Sequence, residues 1–193
     1  DSSVTGVQTC ALPICYAHAP NVDAAAFLVR KIMPLVWATR PDVTCILAGS
    51  HMPASIRSLA GPRVRILGYV EDLTALLCSV RLTVAPLRFG AGLKGKVLDS
   101  LAAGVPCVMT PIAAEGFDLP PELAALVGLT PGEIAAKIAS VFADETSFQR
   151  LSSAATALAN ARFSRQVIDG LMARIFGRHE TDRKSTRLNS SHT

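Results

Sequence analysis

The stretch Val84–Asp118, VAPLRFGAGLKGKVLDSLAAGVPCVMTPIAAEGFD, decides the fold reading. An apolar run at Leu82–Leu87 has strand character, a glycine-rich turn follows, and helical periodicity opens at about Leu93 and runs to Ala103. Gly90 and Gly92 let the backbone approach a ligand closely, and a helix start presents unpaired N–H groups and a positive dipole end, a seat for phosphate. Arg88, Lys94 and Lys96 add positive charge at the same place. On the helix, Leu93, Val97, Leu98 and Leu101 form the expected buried stripe, which leaves Lys96 and Asp99 on a neighbouring face toward a cleft. A carboxylate about one to two turns from a phosphate seat suits a ribose diol. The spacing alone fits equally well an exposed Lys96–Asp99 ion pair worth a few tenths of a kcal/mol.

Working outward, the chain alternates. Downstream come a strand at Cys107–Met109, a last strand at Ala125–Leu129, and helical periodicity over Glu133–Ala143, Thr146–Ala161 and Arg165–Phe176, with Ser164 as a cap. Upstream, Asn21 caps an amphipathic helix that Pro41 ends, with Asp23 favoured by the helix dipole. A strand at Val43–Ala48, a turn at Gly49 and Ser50, a helix at Pro53–Ala60, a strand at Val64–Leu67 and a helix at Leu73–Ser79 complete the reading. Strands separated by helices predict an α/β fold, a doubly wound parallel sheet, with ligands beyond the carboxyl ends of the strands near the switch in strand order.

The composition excludes several classes. A net charge of +4 with 5% aromatics gives neither the clustered basic patch nor the stacking platform of a nucleic-acid binder. The longest greasy region, Ala24–Thr39, is interrupted by Arg30, Lys31 and Pro34 and falls short of a spanning helix. Cys45, Cys78 and Cys107 lie in or beside apolar runs without paired spacing, so we expect buried, reduced thiols of a cytosolic protein, with no metal site and no disulfide framework.

The two ends read differently. Val4–Ile14, VTGVQTCALPI, can be encoded by a DNA string whose reverse complement translates to DRKSTRLN, which is Asp182–Asn189 as it stands here. Both peptides resemble the translation of a common sequencing-library adapter. We therefore expect residues 1–15 and 182–193 to be adapter-derived scars flanking a domain at 16–181, a gene fragment cut open at both sides. Setting aside Arg183, Lys184, Arg187, Asp1 and Asp182 takes the charge of +4 to +3. Neither end has a periodic apolar face, so trimming both is expected to leave stability unchanged.

Beyond the glycine turn, HAPNVDAA, RPDVTCILAGS, VRILGYVEDL and AAGVPCVMTPIAAEGF together resemble the C-terminal, donor-binding domain of the group 1 retaining glycosyltransferases, across nearly all of residues 16–181. The resemblance implies the Rossmann-like C-terminal half of a GT-B fold and a parent enzyme of hexosyltransferase type in glycan biosynthesis. It implies a nucleoside-diphosphate sugar as substrate, with neither cofactor nor metal. In that family a Glu-x7-Glu pair flanks this turn and helix, the first acid touching the donor sugar and the second the ribose. By position the second falls on Asp99, a shorter acid, and the first on Ala91, which has none. That departure leaves the sugar contact to Lys94 and the backbone amides of Ala91, Gly92 and Leu93.

Arg88 and Lys94 are then the catalytic candidates, stabilising the leaving diphosphate. Gly90, Ala91, Gly92, Leu93, Lys96, Asp99, His18, Glu115 and Gly116 are the donor-binding set. The acceptor site is expected in a missing N-terminal half, so this chain alone is expected to bind without turnover. The parent is expected in the cytoplasm or at the cytoplasmic face of the membrane, with any peripheral membrane contact made through the missing half.

Two other classes compete. Gly90–Gly95, GAGLKG, matches the dinucleotide fingerprint G-x-G-x-x-G, with Glu115 further on, which would make an NAD(P)-binding oxidoreductase domain. Against this, the match sits in a late βα unit, whereas the fingerprint belongs to the first. A non-catalytic sugar-nucleotide-binding module is the other alternative.

Overall fold

Five short runs of small and β-branched apolar residues form one parallel sheet: β1 Thr9–Pro13, β2 Thr44–Ala48, β3 Val64–Gly68, β4 Leu82–Ala85 and β5 Cys107–Met109, in the order β3-β2-β1-β4-β5. The computed structural model describes residues 8–164. Every residue of β4 and β5 is buried, as expected of strands covered on both faces. The helices are α1 Ala19–Phe27, α2 Met33–Thr39, α3 Ala54–Arg57, α4 Leu73–Cys78, α5 Gly95–Ala102, α6 Pro111–Ala114, α7 Pro121–Ala124, α8 Pro131–Ala143 and α9 Glu145–Phe163. A π-helical turn, Leu28–Ile32, joins α1 to α2. It precedes Pro34, which lacks the N–H that an unbroken helix would use.

The expected α/β sheet is present, and β2, β3, β4 and β5 fall where the sequence pattern put them. Three elements differ. Ala125–Leu129 is not a strand: Val127 makes an isolated parallel bridge to Met109, and α7 occupies the residues just before it. The helix after the glycine turn opens at Gly95, with Lys94 in extended conformation at its cap, so the turn is longer than the periodicity implied. Asn21 does not cap α1, which starts at Ala19 with His18 in the cap position and Pro20 in its first turn. The helix expected at Arg165–Phe176 and the terminal stretch 182–193 lie outside the described residues.

The largest correction concerns the start of the domain. Thr9–Pro13, inside the stretch set aside, is the central strand of the sheet, paired in parallel with β2 on one side and β4 on the other. Cys10, Ala11 and Leu12 are fully buried, and Ile14 and Tyr16 join the same core. The reason is local: TCALPI is a short, almost wholly apolar run, and such a run suits a strand buried on both faces even without alternation. Cys10 lies in register with Cys45, and both thiols are free and buried. Cys107 is also buried, whereas Cys78, expected inside, is exposed.

Beyond their paired stretches, β1 and β2 stay clamped: the Ile14 amide donates to the Ala48 carbonyl at 2.9 Å and the Tyr16 amide to the Ser50 carbonyl at 2.9 Å. The clamp depends on Gly49. At φ +147°, a Cβ on Gly49 would lie 1.5 Å from the Ile14 carbonyl oxygen, so no side chain fits.

Two outcomes follow. Deleting residues 1–15 removes a strand whose Leu12 alone, truncated in a core, represents about 2–5 kcal/mol. Against a total of about 5–15 kcal/mol for a domain, that loss abolishes cooperative thermal unfolding. Gly49→Ala lowers Tm sharply by forcing the two loops apart. Calorimetry on both variants checks this, and an unchanged Tm after the deletion would restore the domain start at residue 16.

Candidate donor cleft at the strand-order switch

The strand order reverses between β1 and β4: from β1 the sheet grows outward through β2 and β3 on one side, and through β4 and β5 on the other. At such a point the loops leaving the two neighbouring strands diverge and open a crevice beyond their carboxyl ends. Here those loops are Ile14–His18 after β1 and the glycine turn after β4.

The crevice is a cavity of about 540 Å³ lined by Ile14, Cys15, His18, Asn21, Phe89 and the turn from Gly90 to Lys96. A second cavity, of about 300 Å³, adjoins it over the end of β2, where Gly49, Ser50, Tyr69, Val70 and Asp99 contribute. Ile14, Cys15 and Lys96 line both, so the two form one groove that bends around Lys96.

The glycine turn adopts conformations that only glycine takes without strain: Gly90 has φ 120° and Gly92 φ 76°. Ala91, Leu93 and Gly95 also line the larger cavity, and the first-turn amides of α5 at Gly95 and Lys96 are of the kind that lack intrahelical partners. Buried Val97 and Leu101 fix α5 to the core. Ser100 adds a polar latch: its hydroxyl lies 2.6 Å from that of Thr83 on β4 and donates to the Val105 carbonyl at 2.8 Å. Leu93, expected in the buried stripe, is instead 47% exposed, because the helix begins only at Gly95 and leaves Leu93 in the turn.

The three expected cations are held differently. Arg88 lines neither cavity: its guanidinium grips Asp23 of α1 through two hydrogen bonds, one at 2.9 Å, and lies 4.9 Å from the centre of the Phe27 ring. Bidentate geometry and the stacked ring explain why it prefers α1 to the crevice. Lys94 is almost wholly buried and folds back to donate to the Gly92 carbonyl, with the Glu115 carboxylate 3.8 Å away. It therefore ties the turn together. Lys96 points into the groove, where its ammonium donates to Asn21 Oδ1 at 2.5 Å. Burial pulls its pKa down to about 8, with nearby Lys94 adding to the depression.

Glu115 and Gly116 follow α6 and do not line either cavity. Glu115 meets the turn only through Lys94, and Gly116, at φ 84°, leaves room for the Leu93 side chain. His18 is exposed at the mouth of the larger cavity. Asp99 lines the smaller one and, among the described residues, forms no ion pair, with Lys96 or any other cation. Desolvation raises its pKa. The residues that sequence reasoning missed are Asn21 as a partner of Lys96, Phe89, and the Ser50–Tyr69 wall. Tyr69, 74% exposed, could have been suspected from its place just after β3, at the carboxyl edge of the sheet.

Residues 13–144 match the group 1 glycosyl transferases, and the chain belongs to that family. Among solved structures it is similar to TarM of S. aureus (TM-score 0.72, 13% identity, 86% of this chain and 34% of that one). It is also similar to HepE of Anabaena in complex with UDP and glucose (0.71, 16%, 89% and 49%). Sucrose-phosphate synthase of Thermosynechococcus elongatus is a third (0.72, 19%, 90% and 46%). The architecture is thus that of part of a GT-B glycosyltransferase, and the chain spans from a third to about half the length of these relatives. No curated protein sequence matches it.

The geometry separates a working carboxylate from an ion-paired one. A group whose folded pKa is raised contributes stability that is present below its unfolded value and lost as pH rises through the folded one, so ionised Asp99 works against folding at neutral pH. Asp99→Asn is expected to leave Tm unchanged or slightly higher at pH 7. A clear fall in Tm would mean that Asp99 has a stabilising partner.

Proposed function

We propose that the groove binds a nucleoside-diphosphate sugar, with the diphosphate on the glycine turn and the first turn of α5, and the nucleoside in the smaller cavity with its ribose hydroxyls on Asp99. The parent enzyme would transfer the sugar, of hexose type, to an acceptor with retained anomeric configuration. The observation that carries this reading is the bend of the groove around Lys96: among the described residues it is the lysine that lines both cavities, and it stands between an amide-rich turn and a carboxylate that forms no ion pair. An anion beside Lys96 and a diol beside Asp99 satisfy both ends of one ligand. That the HepE structure holds UDP and glucose supports the same assignment.

The chemistry such a site supplies is charge placed in advance where the leaving diphosphate develops it, the role that most often dominates catalysis. Lys96 and the turn amides carry it as the groove stands. Arg88 could join only by releasing Asp23. No resident metal or cofactor is invoked, and Ala91 leaves the sugar itself to backbone amides and to Lys94, which could join only by releasing the Gly92 carbonyl and Glu115. The acceptor would be held by sequence beyond this chain, in a GT-B parent at the cytoplasm or its membrane face. We keep the adapter origin of both ends as our reading of the codon complementarity. On that reading an adapter peptide supplies β1, because TCALP has the apolar character a central strand needs.

The dinucleotide alternative loses ground on one observation: the first βα loop, Ile14–His18, contains no glycine, and GAGLKG follows the fourth strand. A non-catalytic binder keeps one argument, the absence of an acid at Ala91. A thermal-shift panel of UDP-, GDP- and ADP-sugars beside NAD(H), run on the whole chain, tests the class. A shift with a sugar nucleotide and none with NAD(H) is expected, and the reverse would overturn it. Within the panel, Asp99→Asn should weaken the best nucleotide by roughly tenfold, because hydrogen bonds to a charged acceptor represent about 1.5–3 kcal/mol and the amide retains part. Titration calorimetry showing unchanged affinity would remove the ribose role.

A further inference from the structure

Each cation of the glycine-turn region has a partner, and the partners differ in kind. Arg88 is neutralised by Asp23 and Lys94 by Glu115, whereas Lys96, among the described residues, is hydrogen-bonded to the neutral amide of Asn21 and to no carboxylate. The Asn21 side chain is itself fixed, since its Nδ2 donates to the Cys15 carbonyl at 2.7 Å in the loop after β1. Asn21 therefore ties α1, that loop and α5 together across the strand-order switch, and it does so with no charge. A carboxylate in its place would hold the ammonium equally well and cancel its field. An apolar residue would leave the ammonium unaimed.

We propose that Asn21 is a positioning residue that holds the Lys96 ammonium in the groove with its charge uncompensated, so that a bound diphosphate becomes its counter-ion and binding is linked to the protonation of Lys96. The proposal rests on the donor reading for its ligand, but the state of Lys96 in the free protein is independent of it.

The sign follows from the surroundings. Among the described residues, titratable and charged groups around Lys96 are Lys94 and Asp99 on α5, Cys107 on β5, Cys15 and His18 across the groove, and Tyr69 after β3. Cys107 is buried, with its pKa pushed up to about 11, and so is neutral near pH 8. Free Lys96, at about 8, is charged below that pH and neutral above it, whereas a diphosphate beside it would raise its pKa. Between about pH 7, above the second ionisation of a terminal phosphate, and about pH 8 affinity is flat. Above it the complex must take up a proton that the free protein lacks, and affinity falls by roughly tenfold per pH unit until the pKa of the complex is reached.

Two measurements on the whole chain decide the matter. With 13C-methylated lysines and Lys96→Arg for assignment, NMR of the free protein should give a Lys96 midpoint near the value of about 8. Asn21→Asp should move it up by about a unit or more, as a carboxylate at hydrogen-bond distance does, and Asn21→Ala should not raise it. Calorimetry with UDP should show the pH break in the wild type. In Asn21→Asp the break should move upward and affinity at pH 7 fall by about tenfold, because the diphosphate must displace a carboxylate. An unchanged Lys96 midpoint in Asn21→Asp, or a UDP pH profile identical to wild type, would overturn the proposal. Failure of wild type to bind UDP at any pH would strike the donor reading instead, and the NMR titration would still decide the role of Asn21.

Discussion

The placement of β1 between β2 and β4 is the constraint on which the rest depends. Because β1 is flanked on both sides, the loop that leaves it must diverge from the loop that leaves β4, and the crevice between them is the groove. The same strand brings Ile14 against Gly49, a contact so close that only a residue without a side chain allows it. Remove β1 and neither the sheet nor the crevice has a centre.

Charge around the crevice is then largely taken up in pairs. Asp23 and Glu115 take up Arg88 and Lys94, and those pairs shape the walls: one holds α1 against the loop after β4, the other closes the glycine turn. Among the described residues, what remains open is Lys96, half-buried and without a carboxylate in ion-pair reach, and Asp99, exposed on the wall of the smaller cavity and without a cation. Both are groups whose ionised forms the free fold does not favour. On the proposed reading, a ligand carrying a diphosphate and a diol would relieve both at once.

Most of the sheet was legible because its strands are short apolar runs bounded by glycine and proline, and the glycine turn was legible because its chemistry is local. Asp99 and Lys96 could be placed near one another from helix geometry. Their independence could not, since whether two side chains three apart pair with each other depends on what α1 offers across the groove, and Asn21 is 75 residues from Lys96 in sequence. The pairing of Arg88 was illegible for the same reason: its partner Asp23 belongs to another helix. The strand at Thr9–Pro13 was missed for a different one, because codon complementarity speaks to the origin of a peptide and physics only to its shape. An apolar hexapeptide beside the right loops takes the central place whatever encodes it.

The central claim is that one ligand spans both cavities with its diphosphate at the bend. A crystal structure of the chain with a bound nucleoside diphosphate tests it most directly. The account predicts both phosphates within hydrogen-bond distance of Lys96 and the amides of the Gly90–Lys96 turn, and both ribose hydroxyls on Asp99. A nucleotide whose phosphates lie away from that turn, or whose ribose avoids Asp99, would contradict it.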